Sequence, residues 1–254
     1  MKKLLSMVLA GMMIFSLTAC SENEETGSSQ PEASTSTEQV SEPEVPTSEP
    51  AESDDTSEAS AEVSEPEGTG TNMLVAYFSY AENADLPEGV DASATASIQM
   101  WNDDLTGNTG VVANMIAETA GADLFSIQTV EKYPDTYDAT IDQGQEERNA
   151  DARPELTSLP ENLDQYDVIF LGFPNWWGDM PMALYTFLDE VDLTGKTIVP
   201  FVTSGGSGFS NTISTIESME SGATVQDGLS ISGSSATEAQ DQVNEWLSGL
   251  GYAG

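Results

Sequence analysis

Histidine is absent from the 254 residues, and cysteine occurs only once, at Cys20. Without histidine the chain lacks the commonest general base, so catalytic triads that pair it with serine or cysteine are excluded. A zinc centre needs several histidine or cysteine ligands, which the chain does not have. We therefore expect neither hydrolytic catalysis of the triad type nor a bound metal.

Basic residues are also scarce, with six Lys and Arg against 44 Asp and Glu, a net charge of −38. Residues 71–254 carry 29 acidic residues and only four basic ones, Lys132, Arg148, Arg153 and Lys196, which gives −25. A surface this acidic repels phosphate backbones, so nucleic acid is excluded as a partner. The charge suits docking to a cationic protein, and it equally suits the simple maintenance of solubility.

Long hydrophobic runs are missing except at the N-terminus, where Lys2 and Lys3 precede an apolar run over residues 4–17. That run is too short to span a bilayer comfortably. It ends in Leu-Thr-Ala-Cys at residues 17–20, which resembles the lipobox of bacterial lipoproteins, although an ordinary secretory signal is an alternative. The resemblance implies a signal peptide over residues 1–20 and a lipid on Cys20. The mature chain would then be anchored on the extracytoplasmic face of the cell membrane.

Large apolar residues are almost absent from residues 21–70, where only Val40, Val45 and Val63 interrupt a run rich in Ser, Thr, Glu, Pro and Ala. Such a segment cannot bury enough apolar surface to offset the entropy of ordering, so we predict a disordered linker. Proline and charge repulsion favour an extended chain. The linker is either a spacer or an unselected flexible leader.

Residues 71–254 alternate short apolar runs with segments of helical spacing, which predicts one α/β domain. The predicted strands are 73–78, 124–130, 167–173, 197–202 and 225–231. The predicted helices are 111–119, 135–150, 181–191, 210–219 and 237–247. This alternation predicts a doubly wound parallel sheet with helices on both faces. In such sheets ligands bind beyond the carboxyl ends of the strands.

Three loops at that edge have unusual sequences. The first begins at Ser79 and ends in Thr-Gly-Asn-Thr at residues 106–109, a phosphate cradle or simply a helix cap. The second, Phe-Pro-Asn-Trp-Trp-Gly-Asp at residues 173–179, offers flat indole surfaces unless its tryptophans pack into the core. The third, residues 203–209, contains three glycines that permit close approach of a ligand or make a flexible connector.

In this order and at these places, the three loops resemble the flavodoxin-like family over about residues 72–252. The resemblance implies a five-stranded parallel sheet of order 2-1-3-4-5 and FMN as the cofactor. It places the phosphate at Ser79, Thr106, Gly107, Asn108 and Thr109. It places one side of the isoalloxazine at Pro174, Asn175, Trp176, Trp177 and Gly178. It places the other side at Thr203, Ser204, Gly205, Gly206 and Gly208.

The chain departs from the family pattern in two places. Residues 80–105 are inserted before the cradle, either as a lid over the site or as an outward bulge. The third loop lacks the tyrosine that often stacks on the flavin, and Phe209 is the aromatic residue expected to replace it. The resemblance also implies a backbone carbonyl near Gly178 close to the flavin N5, while Asp179 is expected to lower the reduction potential.

Three functions follow from the sequence as alternatives. The first is an electron carrier that docks to a cationic redox partner. The second is an FMN-dependent NAD(P)H:acceptor oxidoreductase acting on quinones or flavins, which the lack of an arginine cluster disfavours for NADPH. Arg148 and Arg153 are expected to be structural ion-pair partners. The third is a binding module that has kept the fold and lost the cofactor.

Overall fold

The computed structural model describes residues 71–87 and 97–253. The predicted signal peptide (1–20) and linker (21–70) lie outside the described residues, so the lipid on Cys20 stays a prediction. Within the described ranges, no helix is both long enough and apolar enough to cross a bilayer.

A parallel sheet forms the centre of the domain. Its strands are β1 (Met73–Tyr77), β4 (Asp123–Ser126), β5 (Val168–Pro174), β6 (Thr197–Ser204), β7 (Thr224–Val225) and β8 (Leu229–Ser232). The order is β4-β1-β5-β6, and both β7 and β8 pair with β6. The predicted α/β fold, a doubly wound parallel sheet of order 2-1-3-4-5, is confirmed. A separate antiparallel hairpin joins β2 (Ile98–Trp101) and β3 (Asp104–Gly107).

The fifth predicted strand, residues 225–231, is not continuous in the structure, because it is split into β7 and β8. β7 pairs with Thr197 and Ile198, and β8 pairs with β6 from Phe201 onward. Pro200 lies in the gap and has no N–H to donate to a neighbouring strand. The outer strand therefore breaks opposite this proline.

Helices cover both faces of the sheet. They are α1 (Tyr80–Asn83), α2 (Asn108–Ala120), α3 (Tyr137–Asn149), α4 (Met182–Glu190), α5 (Thr212–Met219) and α6 (Gln240–Leu250). α2 and α6 pack on one face with Val75 and Phe170, and α4 and α5 pack on the other with Ile169 and Leu171. Because side chains alternate along β5 and every residue of it is buried, this strand contributes to both cores.

The described parts of the insertion, residues 80–87 and 97–105, pack onto the domain. Asn83 anchors α1: its side chain is fully buried, donates to the carbonyl oxygens of Ser79 (2.9 Å) and Ile127 (3.0 Å), and accepts from the Thr129 N–H (2.8 Å). The hairpin of β2 and β3 brings Gly107 next to Ser79, because a Cβ added to Gly107 would lie 2.2 Å from Ser79 Oγ. The insertion therefore leaves the two ends of the first loop side by side.

Candidate functional site

A cavity of about 740 Å³ opens at the carboxyl ends of the central strands. Its volume lies within the range typical of small-molecule sites. Eight residues predicted from the sequence line it: Asn108, Pro174, Asn175, Trp176, Trp177, Thr203, Ser204 and Gly205. The three loops therefore converge on one space, and no charged side chain is among the residues that line it in the described part of the chain.

Seven other predicted residues do not line this cavity. They are Ser79, Thr106, Gly107, Thr109, Gly178, Gly206 and Gly208. Thr109 is buried beneath the cavity wall, where its hydroxyl shares a 2.8 Å hydrogen bond with that of Thr203 and so ties α2 to the end of β6. Ser79 is only 1% exposed, and its hydroxyl has no partner among the described residues. Among the described residues, the N-cap residue Gly107 makes no side-chain cap for α2, and the Asn108 N–H donates to the Ser97 carbonyl oxygen (3.3 Å).

The second loop is a tight turn. The N–H groups and carbonyl oxygens of Trp176 and Asp179 pair reciprocally at 2.9 Å. Between them Trp177 (φ 57°) and Gly178 (φ 78°) both have left-handed backbone conformations, as in a type I′ turn. Glycine adopts this conformation freely, whereas a tryptophan in it is uncommon and points to a functional constraint.

The two tryptophans have different environments. Trp176 packs edge-on against Phe78 (5.5 Å between ring centroids) and Tyr133 (5.3 Å), so it joins the core while one part of it lines the cavity. Trp177 remains 46% exposed, and its Nε1–H donates to the carbonyl oxygen of Ile141 in α3 (3.1 Å). Core packing, expected as an alternative for either residue, applies to Trp176.

Asn175 connects the second loop to the third. Its Nδ2 donates to the Gly208 carbonyl oxygen (2.8 Å) and to Ser210 Oγ (3.0 Å), and its Oδ1 accepts from the Gly178 N–H (3.0 Å). Within the third loop, Ser204 Oγ accepts from the N–H groups of Gly206 (3.2 Å) and Gly208 (3.0 Å). Asn175 and Ser204 thus hold the cavity walls in place by bonding Gly178, Gly206 and Gly208, which do not line the cavity themselves.

The expectation for Phe209 is wrong. Its ring turns away from the cavity and packs against Phe173, with 6.4 Å between centroids. The aromatic side chain gains more from this apolar contact than from the wetter cavity mouth. Tyr137 is the exposed aromatic residue that lines the cavity instead.

The arginines near the site are paired with acids, as expected. Arg148 Nε lies 3.4 Å from Asp179, and Arg153 pairs with Asp151 and Asp189. Asp179 also accepts from the Tyr185 hydroxyl (2.8 Å). Burial, with Asp179 as a second cause, raises the pKa of Tyr185 to about 12, so this hydroxyl stays a donor at neutral pH. Asp179 therefore has partners that offset part of its charge.

Nine residues that line the cavity are not among the site residues predicted from the sequence: Tyr80, Ser97, Gln99, Tyr137, Thr140, Ile141, Gly144, Gly233 and Ser234. Ser97 and Gln99 belong to the insertion, which forms part of the wall, and Gln99 Nε2 donates to Asn108 Oδ1 (2.8 Å). Four others lie on α3 at intervals of three or four residues. That spacing was the available signal for a helix face turned toward the site.

A sequence model of the flavodoxin family matches residues 102–250, more than half of the chain. The chain belongs to the flavodoxin family. The match begins at the turn of the hairpin, so β1 and Ser79 of this flavodoxin lie ahead of it, separated by the insertion.

Two solved structures of proteins described as flavoproteins resemble this flavodoxin. One, from Bacteroides eggerthii, is 25% identical, with 71% of this chain and 98% of that chain covered and a TM-score of 0.55. The other, from Bacteroides uniformis, is 28% identical, with 70% and 99% covered and a TM-score of 0.53. No curated protein matches the sequence. The comparisons support a flavodoxin-like flavoprotein fold.

Proposed function

We propose that this flavodoxin binds FMN in the cavity and acts in electron transfer, held at the extracytoplasmic face of the membrane by a lipid on Cys20. The observation that carries the proposal is the convergence of the loops after β1, β5 and β6 on one uncharged cavity. In doubly wound sheets this edge is where ligands bind.

The residues present fit a flavin. Trp177 and Tyr137 line the cavity and are both more than two-fifths exposed, so their faces can stack against a planar ring system. A phosphate can bind at the first turn of α2, which has no side-chain cap and where backbone N–H groups favour an anion. Beside that turn, Ser79 has a buried hydroxyl without a partner in the described ranges, and Gly107 leaves no room for a side chain.

FMN supplies one- and two-electron redox chemistry when it is bound, and the chain supplies position and environment. Asn175 holds the second and third loops at a fixed separation. Trp177 is held against α3 by its indole N–H, which donates to the Ile141 carbonyl oxygen. The Gly178 peptide can reverse its direction at low cost because glycine tolerates either backbone conformation.

The distribution of charged residues favours an electron carrier over an NAD(P)H oxidoreductase. The residues described as lining the cavity include no lysine or arginine to pair with the phosphates of a dinucleotide, and both nearby arginines already contact carboxylates. Conversely, a net charge of −25 over residues 71–254 attracts a cationic protein partner and speeds its docking.

The test is to load the chain with FMN and to follow its reduction by stopped-flow absorbance. We expect slow oxidation of NADH and fast electron exchange with a small basic redox protein such as a cationic cytochrome, slowing steeply as salt is added. Rapid, saturable NADH oxidation would instead support the oxidoreductase. Failure to take up FMN would leave only the cofactor-free binding module.

The anchor is tested separately in a bacterial host. The wild-type chain should fractionate with membranes and incorporate labelled fatty acid, whereas Cys20→Ser should do neither. Ser21→Ala, the neighbouring substitution, is the matched control and should behave as wild type. Release of the wild-type chain into the soluble fraction without label would overturn the lipid anchor.

A further inference from the structure

The hairpin of β2 and β3 contributes a side chain to the cavity wall. Its two turn residues, Asn102 and Asp103, both have left-handed backbone conformations (φ 48° and 72°), as in a type I′ turn. Ile98 is fully buried and fixes the base of the hairpin in the core. The next residue, Gln99, lies on the other side of β2 and lines the cavity. The hairpin therefore holds Gln99 in a defined position.

Two residues of the insertion bond Asn108, the first residue of α2. Gln99 Nε2 donates to Asn108 Oδ1 (2.8 Å), and the Ser97 carbonyl oxygen accepts from the Asn108 N–H (3.3 Å). A carboxamide has one oxygen and one NH2 group, so a donor that engages the oxygen fixes which way the NH2 group turns. The contact with Gln99 therefore orients the Asn108 side chain. Asn108 Nδ2 keeps two N–H donors for which the described residues provide no acceptor.

The NH2 group of Asn108 is open to the cavity. Asn108 lines the cavity together with Gly233, and a Cβ added to Gly233 would lie 3.0 Å from Asn108 Nδ2. Glycine at this position therefore leaves the NH2 group uncovered. A ligand that enters the cavity displaces water from this donor, and the donor then favours a ligand that brings an acceptor, because a desolvated polar group without a partner is unfavourable.

We propose that Gln99 is a positioning residue of the flavin site, which holds the Asn108 carboxamide so that Nδ2 donates to an oxygen of the bound flavin. The inference rests on the proposed function. The oxygen belongs to the phosphate, or else to the ribityl chain or the ring. The hairpin part of the insertion is then neither a lid nor an outward bulge, because it supports a residue that contacts the ligand.

A double-mutant cycle tests whether Gln99 acts through Asn108. Gln99→Met keeps the length of the side chain and removes its donor, and Asn108→Ala removes the carboxamide. Each full-length variant is titrated with FMN and followed by flavin fluorescence. We expect Gln99→Met to weaken FMN binding roughly five-fold, as for the loss of one hydrogen bond, and Asn108→Ala to weaken it at least as much. The double variant should bind as weakly as Asn108→Ala alone.

Gln99→Glu tests the orientation itself. A carboxylate accepts and does not donate, so Asn108 must turn Nδ2 toward the hairpin and present Oδ1 to the ligand. The hairpin and α2 stay linked, yet FMN binding should fall at least as far as in Gln99→Met. The same substitution in Asn108→Ala measures the effect of the added charge alone and should weaken binding less. Gln242→Met, at an exposed position on α6, is the matched control and should behave as wild type.

Riboflavin, which lacks the phosphate, identifies the oxygen. A loss in Gln99→Met for FMN alone supports the inference with the phosphate as acceptor, and an equal loss for both flavins supports it with the ribityl chain or ring. Unchanged FMN binding by Gln99→Met and Gln99→Glu, or losses that add in the double variant, overturns the inference and leaves the proposed function standing. A wild-type chain that binds neither flavin overturns both.

Discussion

Asn175 shows how one side chain can line a site and also hold its walls together. Its backbone follows the end of β5, while its amide group bonds both the second loop, at the Gly178 N–H, and the third, at the Gly208 carbonyl oxygen. Resemblance to the family selected this residue as a flavin contact. Its hydrogen bonds make it a link between the two loops that border the cavity.

Asn175→Ala should weaken FMN binding by roughly ten-fold, because the two loops lose their fixed separation and the cost of ordering them falls on binding. It should also lower the free energy of unfolding by about 1–3 kcal/mol, since partly buried polar groups lose their partners. Flavin fluorescence titration and urea unfolding measure the two effects. Asn149→Ala, at the exposed end of α3, is the control, and equal behaviour of the two variants would contradict the role given to Asn175.

Gly172 is required by packing within the sheet. A Cβ there would lie 2.0 Å from Cζ of the Phe201 ring on the adjacent strand. Gly172→Ala should lower the free energy of unfolding by about 1–3 kcal/mol or more through overpacking. Gly249→Ala, in α6, is the opposite case, because no described atom outside the adjoining helix backbone lies within 4 Å of an added Cβ. It should stabilise the chain by up to about 1 kcal/mol. Thermal denaturation that ranked the two variants in the reverse order would contradict this packing account.

At the scale of elements, α3 differs from the other long helices. It buries only Thr140 and Gly144, whereas α2, also 13 residues long, buries eight residues. Its contacts with the second loop include the hydrogen bond from Trp177 to Ile141 and the ion pair between Arg148 and Asp179. Trp176 also lies close to Gly144. The same helix lines the cavity, so its stability and ligand binding should be coupled.

Amide hydrogen exchange should therefore be faster in α3 than in α2 in the absence of FMN, because α3 buries less apolar surface and opens at lower free energy. Adding FMN should slow exchange over residues 137–149 and leave α6, which is remote from the cavity wall, unchanged. Equal protection of α2 and α3, or no response of α3 to FMN, would contradict this coupling.

Sequence patterns predicted the elements that have strong apolar periodicity and missed those fixed by tertiary contacts. β5 is predictable because a strand buried on both faces must be apolar throughout. The break between β7 and β8 depends on Pro200 in a neighbouring strand, which no local pattern reveals. The cavity face of α3 mixes polar and apolar residues (Tyr137, Thr140, Ile141 and Gly144) and carries no motif. Phe209 was misplaced because its partner, Phe173, is brought to it only by the fold.

The main feature of the molecule as a whole is its large excess of negative charge. Residues 71–254 carry a net charge of −25, while the described wall of the cavity carries no charged side chain. A ligand bound there would lie in the field of a strongly acidic chain, and the nearby Arg148 is already paired with Asp179. Adding electrons to it should therefore be harder than in water.

The midpoint potential of bound FMN should accordingly lie below that of free FMN. It should rise toward the free value as salt is added, because counterions screen the more distant surface charges. Spectroelectrochemical titration at low and high ionic strength measures both effects. A potential well above that of free FMN, or one insensitive to salt, would show that contacts close to the ring and not the field of the molecule set it.

A visible absorbance titration of the apoprotein with FMN shows whether the loops after β1, β5 and β6 form a single flavin site. We expect saturable uptake of one FMN per chain, with shifted visible bands and quenched flavin fluorescence from contact with the cavity aromatics. Trp177→Ala should bind FMN more weakly than Trp246→Ala, in which the substituted tryptophan lies on the distant helix α6. An unchanged flavin spectrum at saturating protein would show that the three loops do not form a flavin site.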